Sequence, residues 1–543
     1  MLASVSSKKL DAVISGQSNG QLVASGSATD ERGRFVNSEP GALTDPGVQQ
    51  LFSPITIGRL RLKNRIVSPP HGTYFASDGL PTNTQIAYYE ARARGGVGLI
   101  VGGSWAAWPR SMVSASVNLA INPRAQAGHR ELAAAVHRHG CYIVAQLHDG
   151  GRQGSSSWHR GTLLAPSPLP DPVVREIPKE LEIHEIEDMI KHFGLSAAAM
   201  QSAGWDGVEV FAAQGYGLSQ FLSPQTNRRL DEFGGSLENR ARVLLRIVAE
   251  IRSVVGQDFL VGVRINGADL IDGGLTTADG IGIAQSLEQA GGVDYLSVSG
   301  ASNENYPLWI ADMAHPKGLF VPLAAGIRQA VSLPVLVVTR ITDPLHAESI
   351  LREGDADLIG MNRALIADPD LPNKAREGRF YDIRPCIGCN QGCIGRVVLH
   401  SPMECTVNPR VGHEETEVSL DATIPRRVVV VGGGPAGLQA SVTAAERGHE
   451  VVLFEEHHHL GGQLSMAAQT RSRSELGLIV EHLAGQASRL GVKVRLGEAA
   501  TKFAIQEQQP EAVILATGST PLRTGFSSFR PSVDAIPGHS PLM

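Results

Sequence analysis

From Leu51 to about residue 370, short β-branched runs alternate with amphipathic helical patterns, and the alternation repeats eight times. The runs predicted as strands are 66–68, 98–101, 142–147, 207–211, 260–264, 295–299, 335–339 and 358–361. The helical patterns between them include 85–94, 131–139, 185–203, 237–255 and 277–290. Strand then helix, eight times over, predicts a (β/α)8 barrel, that is, a TIM barrel. The span exceeds what such a barrel needs, and the excess falls after the third strand. There 148–184 carries Pro166, Pro168, Pro170, Pro172 and Pro178 without a period, which predicts an ordered loop across the barrel mouth.

With 543 residues, 42% of them hydrophobic, the chain can build more than one sizeable core. A net charge of -6 without a long basic run argues against nucleic acid or an anionic membrane as the main partner. No apolar run is long enough to span a bilayer. Residues 1–48 are rich in Ser, Gly, Asp and Asn, show no apolar periodicity and read as a flexible leader. Their start lacks the continuous apolar core of a secretory signal, so a reducing cytoplasm is the expected compartment.

Four of the five cysteines form one stretch, Cys386-x2-Cys389-x3-Cys393-x11-Cys405. Three crowded thiols with a distant fourth suit a 4Fe-4S cubane. Structural zinc more usually draws on two separated C-x2-C pairs, so zinc and uncommitted thiols are the competing readings. Beyond the stretch, a compact run over 427–431 leads into Gly432-x-Gly434-x-x-Gly437 and a helix to Arg447. A second strand over 451–454 then ends at Glu455, roughly 20 residues on. Strand, glycine turn, helix and acid together predict a dinucleotide fold, with the pyrophosphate at the helix N-terminus and Glu455 on ribose hydroxyls.

In a (β/α)8 barrel the chemistry sits at the C-terminal strand ends. Those ends carry Pro69-Pro70-His71-Gly72-Thr73 after the first strand, Gln146 and His148 at the third, and Arg264 at the fifth. Thr339-Arg340 follows the seventh strand and Asn362-Arg363 the eighth. Two arginines beside the last two strands fit a phosphate site, and a cation ending a core strand, as Arg264 does, fits a ligand. His71 and His148 face the mouth as candidates for substrate contact or proton relay; the plainer reading makes each a hydrogen-bonded structural residue.

The run Leu51-Phe52-Ser53-Pro54, with Lys63-Asn64-Arg65, the Gln146 strand, Gly207-Val208-Glu209-Val210 through Tyr216 to Leu222, and Gly234-Gly235-Ser236-Leu237-Glu238-Asn239-Arg240, resembles the old yellow enzyme family of FMN barrels. Cys386-Ile387-Gly388-Cys389-Asn390-Gln391 with Asn408-Pro409-Arg410 narrows the likeness to the three-cofactor branch that includes 2,4-dienoyl-CoA reductase and trimethylamine dehydrogenase. The resemblance implies FMN, a 4Fe-4S cluster on Cys386, Cys389, Cys393 and Cys405, and FAD, with NAD(P)H as electron donor. It implies that Gln146 meets the flavin pyrimidine edge and Arg264 the N1/C2 region, with Pro69 and His71 beside the flavin. Arg340, Asn362 and Arg363 would hold the phosphate. Tyr216 would supply a proton to an activated C=C bond that receives hydride from the flavin, with His148 and Asn303 as further catalytic candidates. Gly461-Gly462-Gln463 and a strand over 513–517 resemble the second flavin-binding segments of FAD reductases, favouring FAD over NAD.

The chain also departs from the family. Phe211 and Gln214 stand where many old yellow enzymes use a histidine and a second His or Asn to grip a carbonyl, and Asn303, Glu304 and Tyr306 stand where relatives place a histidine beyond the sixth strand. Gly72 replaces the cysteine that attaches FMN covalently in one branch, so FMN is expected to be non-covalent. No second glycine fingerprint follows, and the sequence ends soon after Ile536-Pro537-Gly538, so a shortened FAD domain is expected. The expected organisation is α/β: leader 1–48, FMN barrel 49–380, cluster segment and linker 381–425, and partial Rossmann-like FAD domain 426–543. The expected activity is reduction of an activated C=C bond in a small molecule. Oxidative amine dehydrogenation or N-demethylation, and a partner-dependent or non-catalytic homologue, are the alternatives. An electron-transfer partner, a complementing subunit and a homo-oligomer are all compatible with the sequence.

Overall fold

A computed structural model describes residues 47–114, 116–159, 161–416 and 422–519. Most of the expected leader and the segment around Ile536-Pro537-Gly538 lie outside these. Eight parallel strands form the barrel: β1 (Ile66–Ser68), β2 (Leu99–Ala106), β3 (Tyr142–His148), β4 (Gly207–Ala212), β5 (Leu260–Asn266), β6 (Tyr295–Ser299), β7 (Val335–Val337) and β8 (Leu358–Gly360). Each pairs with the next, and β8 pairs back onto β1 through Ile359↔Ile66 and Gly360↔Val67, closing the sheet. Helices follow the strands on the outside: α1 (Asn83–Arg94), α2 (Gln126–His137), α3 (Ile183–Ser202), α4 (Leu237–Val255), α5 (Thr277–Ala290), α6 (Val321–Ala330) and α7 (Pro344–Glu353). Two short helices, Asn362–Ala367 and Leu371–Arg376, follow β8.

The helix starts are fixed locally. Thr82, Ser236, Thr276 and Asp343 each accept a hydrogen bond from a first-turn backbone N–H. The strands are buried on both faces: every position of β4, β5 and β6 is buried, as a helix-covered parallel sheet requires. A hairpin, Ile55–Ile57 with Leu60–Leu62, packs Ile57 and Leu62 against Val67, Leu99, Val144, Leu260, Leu336 and Leu358, plugging one end of the barrel interior. Val48, expected as the end of the leader, is instead buried in the outer core beside Leu51. The proline-rich loop after β3 is ordered by short pieces, including a two-strand pair, Leu164–Ala165 with Lys179–Glu180. No helix among the described residues is long and apolar enough to cross a membrane.

The C-terminal unit is a second parallel sheet, in the order β11 (Lys493–Leu496), β10 (Glu450–Glu455), β9 (Arg427–Val431), β12 (Ala512–Leu515). Helices α8 (Pro435–Glu446) and α9 (Gly477–Arg489) cover one face, where Leu438, Val442, Leu483 and Ala487 pack on Val428, Val430, Val451 and Leu453. Between the two units lies the cysteine segment, without long regular elements.

Candidate active site and cofactor sites

The β1, β3, β5, β7 and β8 ends converge on one cavity that opens at the barrel mouth. Pro69, His71, Gln146, His148, Tyr216, Arg264, Arg340, Asn362 and Arg363 all line it, so the structure brings together nearly every barrel residue singled out from the sequence. Asn303 is the exception. Its amide donates to Asp171, 3.3 Å to Oδ2, stitching the turn after β6 to the loop after β3, and it does not reach the cavity. The wall near Tyr216 is aromatic instead: Phe211 at 5.0 Å and Trp309 at 6.1 Å between ring centroids, with Tyr306 5.0 Å beyond Trp309.

The floor is polar. Gln146 Nε2 donates to Glu209 Oε1 at 2.8 Å, and the Tyr295 hydroxyl donates to Glu209 Oε2 at 3.0 Å. Arg264 is buried beside this carboxylate, and its Nε finds no partner among the described residues. Asn362 Oδ1 and His148 Nδ1 are likewise buried and unsatisfied. Buried polar atoms left open along one cavity are what a polar ligand with ring and phosphate groups would complete. Glu209 was missed as a site residue. The signal was a lone acid between Val208 and Val210 on a strand buried on both faces, where an ionised group requires partners.

Burial disfavours the charged form of both histidines. His71 Nδ1 lies 3.1 Å from the Pro69 carbonyl oxygen, which can only accept, so Nε2 accepts from the Tyr88 hydroxyl at 2.7 Å. Burial brings the pKa of His71 down to about 4, and that of His148 likewise, despite a backbone hydrogen bond at Trp105. His71 is therefore braced through both ring nitrogens while lining the cavity. Burial raises the Tyr216 phenol well above its usual range, with Tyr74, Tyr306 and Asp171 adding to the effect, so it stays protonated.

The two arginines at the expected phosphate end behave differently. Thr339 and Arg340 both take positive φ, 86° and 60°, so the chain turns sharply after β7. The Arg340 guanidinium uses three of its five N–H groups within the protein: Nε donates to the His315 carbonyl at 2.7 Å, and Nη1 and Nη2 donate to Glu475 at 3.2 and 2.5 Å. Glu475 sits in the turn Arg471–Leu476 of the C-terminal unit, so the pair ties that unit to the barrel. The guanidinium is thus shared between the two units while Arg340 still lines the cavity. Arg363 Nη1 donates to Asn390 Oδ1 at 2.6 Å, within the cysteine segment.

That segment touches both units. Cys393, Ile394 and Val397 line the barrel cavity, whereas Cys386, Cys389 and Cys405 pack with Leu476, Leu478 and Ile479 of the C-terminal unit. The thiols lie close enough to feel one another's charge. Burial, then the neighbouring thiols, raise Cys393 to about 11 and Cys405 to about 12, partly countered by backbone hydrogen bonds and, at Cys393, by Arg363. None is in a disulfide. As the side chains stand, no group of three or more His, Cys, Asp or Glu among the described residues is drawn in to hold a metal ion.

In the C-terminal unit each fingerprint glycine has its own reason. A Cβ on Gly432, at φ +105°, would lie 2.3 Å from the Ala516 carbonyl oxygen, and one on Gly437 would lie 1.8 Å from that of Gly432. Gly434, at the start of α8, meets nothing within 4 Å, leaving open space for a ligand's pyrophosphate. Gly462 closes on it, its Cβ direction 3.4 Å from Gly434 Cα, so the two glycine motifs share one cradle. Glu455 accepts from the backbone N–H of Gly433 at 2.7 Å and of His457 at 2.9 Å, bracing the turn with the carboxylate expected to hold ribose. Gln463 donates to the Ser519 carbonyl.

Residues 50–382 match the NADH:flavin oxidoreductase / NADH oxidase family, and 427–498 match the FAD dependent oxidoreductase family. The chain is 43% identical over 477 residues to an NADH oxidase of Thermoanaerobacter brockii, covering 87% of this chain and 73% of that protein. It is 39% identical over 486 residues to the N,N-dimethylglycine/sarcosine dehydrogenase of Chromohalobacter salexigens, covering 87% and 69%. Among solved structures, a 2-naphthoyl-CoA reductase in complex with 2-naphthoyl-CoA superposes with a TM-score of 0.85 at 32% identity, covering 89% of this chain and 76% of that one. The chain therefore belongs to the NADH:flavin oxidoreductase / NADH oxidase family and is a flavin-dependent oxidoreductase of the old yellow enzyme type, with FMN the cofactor of its barrel family and FAD that of its C-terminal family.

Proposed function

We propose that this chain reduces an activated C=C bond of a small molecule in the barrel cavity, with electrons from NAD(P)H passing through FAD and a 4Fe-4S cluster on Cys386, Cys389, Cys393 and Cys405. One observation carries the reading: the cysteine segment lines the barrel cavity with Cys393 and packs its other thiols on the nucleotide-binding unit. When bound, FMN supplies hydride chemistry, and the cluster and FAD supply one- and two-electron transfer.

The chain's own residues supply the rest. Gln146 and Arg264 present an amide and a cation to one edge of the flavin ring, and Asn362, Arg363 and the turn at Thr339 border its phosphate. Gly434 and Gly462 leave room for the FAD pyrophosphate. Phe211, Trp309 and Tyr216 form an apolar wall that excludes water from the reacting face, and the protonated phenol of Tyr216 donates a proton to the carbon next to the one that receives hydride. His148, neutral and with Nδ1 free, can hold the substrate or pass a proton without adding charge. The free thiols suit a reducing compartment, and we place the protein in the cytoplasm.

Amine oxidation is the second reading, favoured by the 39% identity to a dehydrogenase of methylated glycines. The test is anaerobic. NADH or NADPH is added to the full chain loaded with both flavins, iron and sulfide, followed by an enoyl thioester or, separately, dimethylglycine. Bleaching by a nicotinamide and recovery with the enoyl compound support the reductase; reduction by the amine alone reverses the direction.

A further inference from the structure

The cavity floor contains an acidic residue to which the sequence reading gave no role of its own. Glu209 lies in the middle of β4, is 0% exposed, and points between Gln146 on β3 and Tyr295 on β6. Both of its oxygens accept a hydrogen bond, one from each neighbour. The cation that acts on it is Arg264 on β5, itself only 6% exposed, and Glu209 is the foremost acid acting on Arg264 in return. An acid and a cation are therefore both buried beneath the cavity on the neighbouring strands β4 and β5, with Arg264 Nη2 donating to Ser299 Oγ at 3.4 Å rather than to Glu209 itself. Of the two, only Arg264 lines it.

This arrangement has two consequences. Gln146 could present either end of its amide to the cavity, but with Nε2 committed to Glu209 Oε1 the carbonyl Oε1 is left to face a ring N–H. Arg264 without Glu209 would present a full uncompensated positive charge in a low-dielectric floor; with Glu209 the pair presents a dipole whose positive end is uppermost. We infer that Glu209 is a positioning residue that fixes the amide of Gln146 and offsets the charge of Arg264, and so holds down the reduction potential of the FMN above them. The inference rests on the reading that Gln146 and Arg264 face the flavin.

Glu209 as a mere packing partner would leave the potential unmoved, so the potential is the readout. The full chain is reconstituted with FMN as wild type, Glu209→Gln, Arg264→Gln and the double variant, and the FMN midpoint is measured by anaerobic spectroelectrochemistry. Removing the buried negative charge makes reduction easier: Glu209→Gln raises the midpoint, with the ratio of reduced to oxidised flavin at a fixed potential rising on the order of tenfold. Arg264→Gln lowers it, and the double variant, with no net change of charge, returns near wild type. Glu209→Asp keeps the charge and stays nearer wild type than Glu209→Gln.

Should Glu209→Gln fail to fold with Arg264 left uncompensated, the double variant against Arg264→Gln alone carries the same comparison. A midpoint higher in the double variant supports the inference, and equal midpoints overturn it. Movement with Arg264→Gln but none on replacing Glu209 would overturn the role of Glu209 while leaving the flavin site as read. No movement in any variant would remove the reading of the flavin site, and the inference with it.

Discussion

The barrel and the nucleotide-binding unit are both parallel sheets, yet they solve the edge problem differently. Pairing of β8 with β1 closes the eight barrel strands on one another, and helices cover their outer face. The four-stranded sheet is open. Its outer strands β11 and β12 present Leu496 at 45%, Val513 at 43% and Leu515 at 73% exposure among the described residues. The barrel thus carries one closed core, whereas the second unit splits its apolar residues between two smaller clusters, one on each face of the sheet, and leans on the rest of the chain through Arg340 with Glu475 and Arg489 with Asp382. Loss of the second cofactor should therefore be separable from loss of the first.

The largest separation is expected from Gly437→Val. Its side chain would collide with the Gly432 carbonyl, and extraction of the purified variant should return FMN without FAD. Next, Tyr216→Phe should keep both flavins but lower alkene reduction by about 10²-fold or more, read as product formation under anaerobic turnover. Unchanged turnover would remove Tyr216 as donor. Glu475→Gln leaves the Arg340 guanidinium buried without its counter-charge, so it should cost about 3 kcal/mol and split denaturant unfolding into two transitions, the nucleotide unit first.

The smallest effect is a pH dependence of stability, to which buried histidines of both units contribute, His482 of α9 included. His71 and His148 are held neutral with pKa near 4 when folded, against an unfolded value near 6.5. The unfolded chain thus binds protons first as pH falls. Stability is intact above about pH 6.5 and declines down to about pH 4, by about 2 kcal/mol for each histidine between pH 7 and 5. Denaturation of His148→Gln at both pH values should show part of that slope removed.

How much of this was legible in the sequence follows from where each residue's partners lie. The barrel strands were visible because each is a short run rich in β-branched residues, and Tyr295–Ser299 and Leu237–Val255 emerge with the bounds expected of them. The fingerprint glycines were legible because turn, ligand approach and helix packing are local demands at Gly432, Gly434 and Gly437. The pairing of Arg340 with Glu475 was not legible, because Glu475 lies far along the chain and nothing local to residue 340 announces it. Asn303 sat at the right strand end, but the loop after β3 supplies Asp171 and draws it aside. Glu209 was plainly odd in its setting, yet its meaning depended on three other strands placing Gln146, Arg264 and Tyr295 around it.

The central claim is that the cysteine segment joins the two flavin sites through a cluster. The most direct test is to measure iron, acid-labile sulfide, FMN and FAD in the anaerobically purified full chain and in Cys389→Ser. The account predicts about four irons and four sulfides per chain in the wild type, lost in Cys389→Ser while FMN remains, together with loss of electron transfer from the FAD side to FMN. Zinc in place of iron, or FMN reduced by NAD(P)H at an unchanged rate in Cys389→Ser, would contradict it.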